Sequence, residues 1–110
     1  MTALPLCQIN EIADGSSMGR TAEVSGKRTR LIIVRKGGCF FVYVNSCPHN
    51  RGPLDFIPDQ FLTPAKDMIL CAGHGAQFRI EDGYCVIGPC AGKALQPIPC
   101  TVRDGSVWLD

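Results

Sequence analysis

The chain has 110 residues, 45% of them hydrophobic, with a formal net charge of +1 and a pI of about 7.6. That length suits one domain with a small core and leaves no room for a second, while the balanced charge excludes a basic nucleic-acid stripe and an acidic disordered tail. Met1 to Cys7 carries neither a positive n-region nor a long apolar run, so a signal peptide or membrane anchor is not expected and the chain reads as soluble and cytoplasmic.

In chain order the pattern is β from end to end. Leu4 to Ile9 reads as a first strand, Asp14 to Ser17 as a loop, and Arg20 to Val24 as a second strand broken by Ser25-Gly26-Lys27. Arg30 to Arg35 and Cys39 to Val44 flank Lys36-Gly37-Gly38, a hairpin signal, and both runs are apolar enough for core strands. From Asn45 to Asp67 the prolines at 48, 53, 58 and 64 exclude a long helix or central strand, leaving loop with a turn of helix near Phe56 to Leu62. Met68 to Leu70 is a short strand. Ala76 to Ile80 then turns through Asp82-Gly83 into Tyr84 to Val86, and Ile98 to Arg103 turns through Asp104-Gly105 into Ser106 to Leu109. The expected architecture is all-β and antiparallel, with loops clustered in the middle.

Seven cysteines (Cys7, Cys39, Cys47, Cys71, Cys85, Cys90 and Cys100) are an odd number without a secretion signal, which points to metal or redox chemistry before a disulfide framework. Cys7, Cys39 and Cys100 fall in predicted strands and read as small buried hydrophobes. Cys85 and Cys90 flank Gly88-Pro89 and could approach each other across that loop; a reducing compartment disfavours a disulfide between them.

The remaining two cysteines stand beside the only two histidines, in Cys47-Pro48-His49 and Cys71-Ala72-Gly73-His74, with 21 residues (50 to 70) between His49 and Cys71. Thiolate and neutral imidazole are soft or borderline metal ligands, and each pair includes a turn former. Zinc fingers generally pair cysteine with cysteine and histidine with histidine, whereas here each loop delivers one of each. Mixed delivery suits two irons side by side, one on two thiolates and one on two imidazoles.

At these residues the sequence resembles the Rieske ferredoxin family. The likeness extends over Pro53-Leu54-Asp55, Cys71 to Phe78, Asp82-Gly83, Gly88-Pro89, Leu95 and Asp104 to Trp108. It implies a Rieske-type antiparallel β-sandwich with a loop-rich cluster-binding subdomain (about 45 to 91) inserted into a basal part (about 1 to 44 and 92 to 110), together forming a single domain over 1 to 110. It also implies one [2Fe-2S] cluster, with Cys47 and Cys71 on one iron and His49 and His74 on the other. The Gly88-Pro89 loop covers the cluster in similar proteins.

Gly52, Gly73, Gly75, Ala76, Phe78 and Pro89 are expected to surround the cluster. The high-potential relatives carry a cysteine where this chain has Gly52 and Gly73, and hydroxyls where it has Ala76 and Phe78. Missing hydrogen bonds leave more electron density on sulfur, so the expected midpoint is at or below roughly −50 mV, in the lower part of a window of roughly −150 to +300 mV. Gly75 is expected to need positive φ. Arg51, Asp55 and Asp59 are candidates for a docking rim, and Trp108 for packing.

The function implied is that of an electron carrier, not an enzyme: it docks by its histidine tip and passes single electrons from a reductase to a terminal oxygenase or related enzyme. No catalytic residue, small-molecule substrate, nucleic acid or membrane is expected. The alternative is a redox-sensing or structural Rieske subunit of a larger complex.

Overall fold

The computed structural model describes residues 5–48, 51–55, 59–73 and 75–110; residues 1–4, 49, 50, 56–58 and 74 lie outside it. His49 and His74 are among the latter. The described residues form nine strands in three antiparallel three-stranded sheets.

The largest sheet has the order β2 (Ser16–Val24), β3 (Lys27–Lys36), β4 (Cys39–Val44). Two-residue turns join its strands, with Val24 opposite Lys27 and Lys36 opposite Cys39. The turn residues Ser25 (φ 52°), Gly26 (79°), Gly37 (61°) and Gly38 (79°) are all left-handed, which matches the right-handed twist of the strands they connect. A second sheet orders β1 (Cys7–Gln8), β9 (Ser106–Leu109) and β8 (Cys100–Arg103), with Asp104-Gly105 as its tight turn. The third comprises β5 (Met68–Leu70), β6 (Gln77–Arg79) and β7 (Cys85–Ile87), and its register shifts at Gln77/Phe78.

Strand β3 is the wall between two cores. Leu31 to Val34 are all fully buried, and the period-2 alternation sends them to opposite faces. Leu31 and Ile33 pack with Cys7, Ile12, Val42 and Val107; Ile32 and Val34 pack with Tyr43, Leu54, Phe61 and Phe78, in the core that also takes Cys47 and Cys71. A continuous apolar run is what a strand covered on both faces requires. Each such side chain contributes about 1.5–3 kcal/mol by burial.

Several expectations are corrected. The first strand shrinks to Cys7–Gln8, because a 3-10 turn over Ile9–Glu11 follows at once, closed by Gln8 N–H donating to Glu11 Oε2 at 2.7 Å. Ser16 and Ser17 belong to β2 and not to a loop: β3 is long enough to pair with them through Arg35 and Val34, and the Ser17 hydroxyl donates to the Asp59 carbonyl at 2.8 Å. Residues 59 to 62 contain no helix, since Leu62 bridges Ile69; 56–58 lie outside the described residues. Cys39 is exposed, because it stands at the hairpin tip directly after Gly37-Gly38, and Cys100 is only half-buried. Cys7 is buried as expected. Among the described residues no helix is long and apolar enough to cross a membrane.

Candidate metal centre

The loops that begin at Cys47 and Cys71 close by the same backbone pattern. Cys47 N–H donates to Gly52 O (2.9 Å) while Arg51 N–H donates to Cys47 O (2.6 Å); Cys71 N–H donates to Ala76 O (2.8 Å) while Gly75 N–H donates to Cys71 O (3.0 Å). In both, the cysteine N–H reaches the carbonyl five residues on and its own carbonyl takes the N–H four residues on. The fourth position is left-handed in both, at φ 62° for Arg51 and 73° for Gly75. The positive φ expected at Gly75 is thus present. Its counterpart at Arg51 escaped the sequence reading, although counting four residues from each cysteine would have aligned the two.

Leu54 holds the loops side by side. Its N–H donates to the Asn45 side-chain oxygen (2.8 Å) and its carbonyl accepts the Ala72 N–H (2.9 Å). Asn45 is buried two residues before Cys47, and its Nδ2 donates to Asp55 Oδ1 at 3.2 Å. This side chain too was missed; a polar residue just before a ligand-bearing loop is the signal that marks it.

Cys47 and Cys71 are both buried, at 0% and 2% exposure, in one core with Ala76 and Phe78. Of the other residues expected around the centre, Gly52 is half-buried and Gly73, Gly75 and Pro89 are exposed. Gly88, just before Pro89, rests on the second loop: a Cβ there would stand 2.7 Å from Ala76 Cα, and its φ is 102°. That approach seats the 88–92 turn against the wall of the candidate centre.

The same core holds Cys85 and Cys90, also fully buried, with their sulfurs 3.2 Å apart. Burial pushes the Cys90 thiol up to about 12, helped by its hydrogen bond with Cys85 and by the neighbouring Cys47. Arg51 is exposed, but Asp59 is committed to the fold: its Oδ1 accepts the Gly19 N–H at 2.8 Å. Trp108 is half-buried, donates to Arg103 O (3.2 Å) and lies 4.2 Å beneath the Arg103 guanidinium.

Two buried thiols on adjoining, similarly closed loops fit the thiolate half of a binuclear iron site. Among the described residues no three Cys, His, Asp or Glu side chains converge as a metal-binding group, and the two histidines that would complete the set lie outside them.

A family model for the Rieske [2Fe-2S] domain matches residues 2–101. No curated protein sequence matches. Among solved structures, the ferredoxin of Sphingomonas yanoikuyae B1 is 28% identical with a TM-score of 0.78, covering 99% of this chain and 98% of that one. The ferredoxin of carbazole 1,9a-dioxygenase from Nocardioides aromaticivorans IC177 is 18% identical with a TM-score of 0.74, over 99% and 97%. A chain from a complex of reduced oxygenase and oxidised ferredoxin in carbazole 1,9a-dioxygenase is 24% identical with a TM-score of 0.73, over 96% and 90%.

Proposed function

The chain belongs to the Rieske [2Fe-2S] domain family, and from that premise we propose that it is a one-electron carrier of low potential, taking electrons from a reductase and delivering them to a terminal oxygenase. The observation that carries this reading is the pair of buried thiols, Cys47 and Cys71, at the base of twin loops in a chain that spans almost the whole of a ferredoxin. The oxygenase–ferredoxin complex among the structural neighbours supports the choice of acceptor.

In this reading Cys47 and Cys71 hold one iron, and His49 and His74 hold the other. The cluster-binding part is about 45 to 91 and the basal part about 1 to 44 and 92 to 110. When bound, the cluster supplies reversible one-electron chemistry at a potential above that of an all-thiolate centre. The protein excludes water from the thiolate side: Cys47, Cys71, Ala76 and Phe78 are all buried. Ala76 and Phe78 bring no O–H donor to the sulfurs, and the nearby Cys90 S–H is donated to Cys85 Sγ, so the reduced state is stabilised little and the potential stays low.

Iron and sulfide quantification of the purified protein, an EPR spectrum after dithionite reduction and protein-film voltammetry test this together. The expected results are two irons and two sulfides per chain, a rhombic signal, and a midpoint at or below roughly −50 mV. A colourless zinc protein would overturn the cluster. A midpoint near the top of the family window would overturn the low potential, and a chain that never turns over with a reductase and an oxygenase would overturn the carrier.

A further inference from the structure

Cys85 and Cys90 are two buried thiols to which electron transfer assigns no task. Cys85 opens β7 and Cys90 lies in the turn that follows; the Cys90 thiol donates to Cys85 Sγ across 3.2 Å. The Cys85 thiol has the Ile87 carbonyl at 3.2 Å. The backbone already holds the pair together. Cys85 N–H donates to Lys93 O (2.8 Å), Gly92 N–H to Cys85 O (3.2 Å), Lys93 N–H to Cys90 O (2.9 Å) and Ala91 N–H to Gly88 O (3.1 Å). The sulfurs need to close by only roughly 1 Å to reach bonding distance, a shift that side-chain rotation can supply.

We propose that Cys85 and Cys90 are a redox modification site, a dithiol that closes to an intramolecular disulfide by exchange with a low-molecular-weight disulfide of the glutathione type. One protein thiol, as its thiolate, attacks a sulfur of the small disulfide and expels RS⁻, which takes up the proton that thiol released. The second protein thiol then displaces the remaining RS group in the same way. One S–S bond breaks and one forms, two electrons pass from the protein to the small disulfide, and two RSH leave.

Access comes through the turn. Val86 to Pro89 and Ala91 to Lys93 are exposed while Cys85 and Cys90 are buried, so local opening of this short segment admits the reagent. In the closed state both sulfurs are buried, at 0% and 1% exposure, which restricts exchange to the opened state. A loop this short removes little entropy from the unfolded chain, so the effect of the bond is local. It pins the turn whose Gly88 lies against Ala76, the closing residue of the second cysteine loop.

Trypsin cleaves after Arg79 and Lys93, so peptide 80–93 carries Cys85 and Cys90 and no other cysteine. The iron-loaded protein is equilibrated in reduced and oxidised glutathione at a series of ratios, acid-quenched, alkylated under denaturing conditions and digested. The cluster's visible absorption is followed throughout. As the ratio becomes oxidising, the doubly alkylated peptide is expected to give way to one lighter by two hydrogens than the dithiol form, with the absorption retained. Cys85→Ser and Cys90→Ser should each yield only a single alkyl group or a single glutathione adduct. A doubly alkylated wild-type peptide at the most oxidising ratio would overturn the proposal. So would a bond from either residue to another cysteine, or a disulfide that appears only after the absorption is lost. The readout is covalent, so it is separate from whether the protein transfers electrons to an oxygenase.

Discussion

The loop that begins at Cys47 is fastened mainly by polar bonds, from the Asn45 and Ser46 side chains and from Ala72 N–H to Leu54 O, whereas the loop that begins at Cys71 is fastened by a sheet. Asn45 reaches across the first loop to the Leu54 N–H and the Asp55 carboxylate. The second loop connects β5 and β6, which are paired through Ile69 and Phe78, both fully buried, and the Gly88 turn backs it. The same hydrogen-bond closure is therefore supported by polar satisfaction in one case and by apolar packing in the other. The first kind fails when a partner is removed, and the second when volume is added.

Gly88→Ala should have the largest effect, because the new methyl meets backbone 2.7 Å away at a left-handed φ of 102°. A loss of about 3 kcal/mol is expected in denaturant unfolding. A loss well below 1 kcal/mol would show that the turn yields, and that the second loop is not held by packing.

Asn45→Ala leaves the buried Leu54 N–H without its acceptor and should cost about 2 kcal/mol. Asn45→Asp keeps that acceptor but faces Asp55, so it should fall between wild type and alanine. Equal losses for alanine and aspartate would break the assignment of the first loop to this clamp.

The second loop's support also carries a titrating group. Tyr43 packs under Gly83 in the β6–β7 hairpin, its hydroxyl donates to Ile80 O, and burial pushes its pKa up to about 12. The unfolded chain releases this proton first, near pH 10, so the contribution is intact below about pH 10 and is lost as pH rises to about 12. Tyr43→Phe forfeits the hydrogen bond, about 1 kcal/mol at neutral pH, and the gap to wild type should close across that alkaline window. The buried Cys90 thiol pulls in the same direction, but both proteins share it, so their difference isolates Tyr43. A gap that stays constant in pH-dependent unfolding would count against it.

The smallest effects should come as a mirrored pair at the left-handed positions. Arg51→Gly relieves a non-glycine residue at φ 62° and Gly75→Ala introduces one at φ 73°. Changes of about 1 kcal/mol, stabilising for the first and destabilising for the second, are expected in thermal unfolding. Two changes of the same sign would break the equivalence of the loops.

Much of the architecture was legible locally. Gly37-Gly38, Gly83 and Asp104-Gly105 each marked a turn because the left-handed backbone found there is one that glycine, and to a lesser degree aspartate, adopts readily. The unbroken apolar run of β3 and β4 announced core strands. What failed depended on a distant partner. Ser16 and Ser17 look like loop until Arg35 and Val34 pair with them, and Cys39 looks like core until the hairpin carries it out to the tip. Arg51 offered no cue of its own: the loop around it enforces a conformation that its type disfavours.

The sequence by itself determined the donor types and their spacing, Cys-x-His and Cys-x-x-His, and with them the chemistry that this centre suits. Such information is carried by adjacent residues and needs no fold to be read. Only the tertiary structure decided that Cys47 and Cys71 lie buried in one core on loops closed in the same way, that one loop hangs mainly on polar bonds and the other on a sheet, and that Cys85 and Cys90 meet. Burial and contact depend on which faces the three sheets turn toward one another. No single segment of the chain specifies that arrangement.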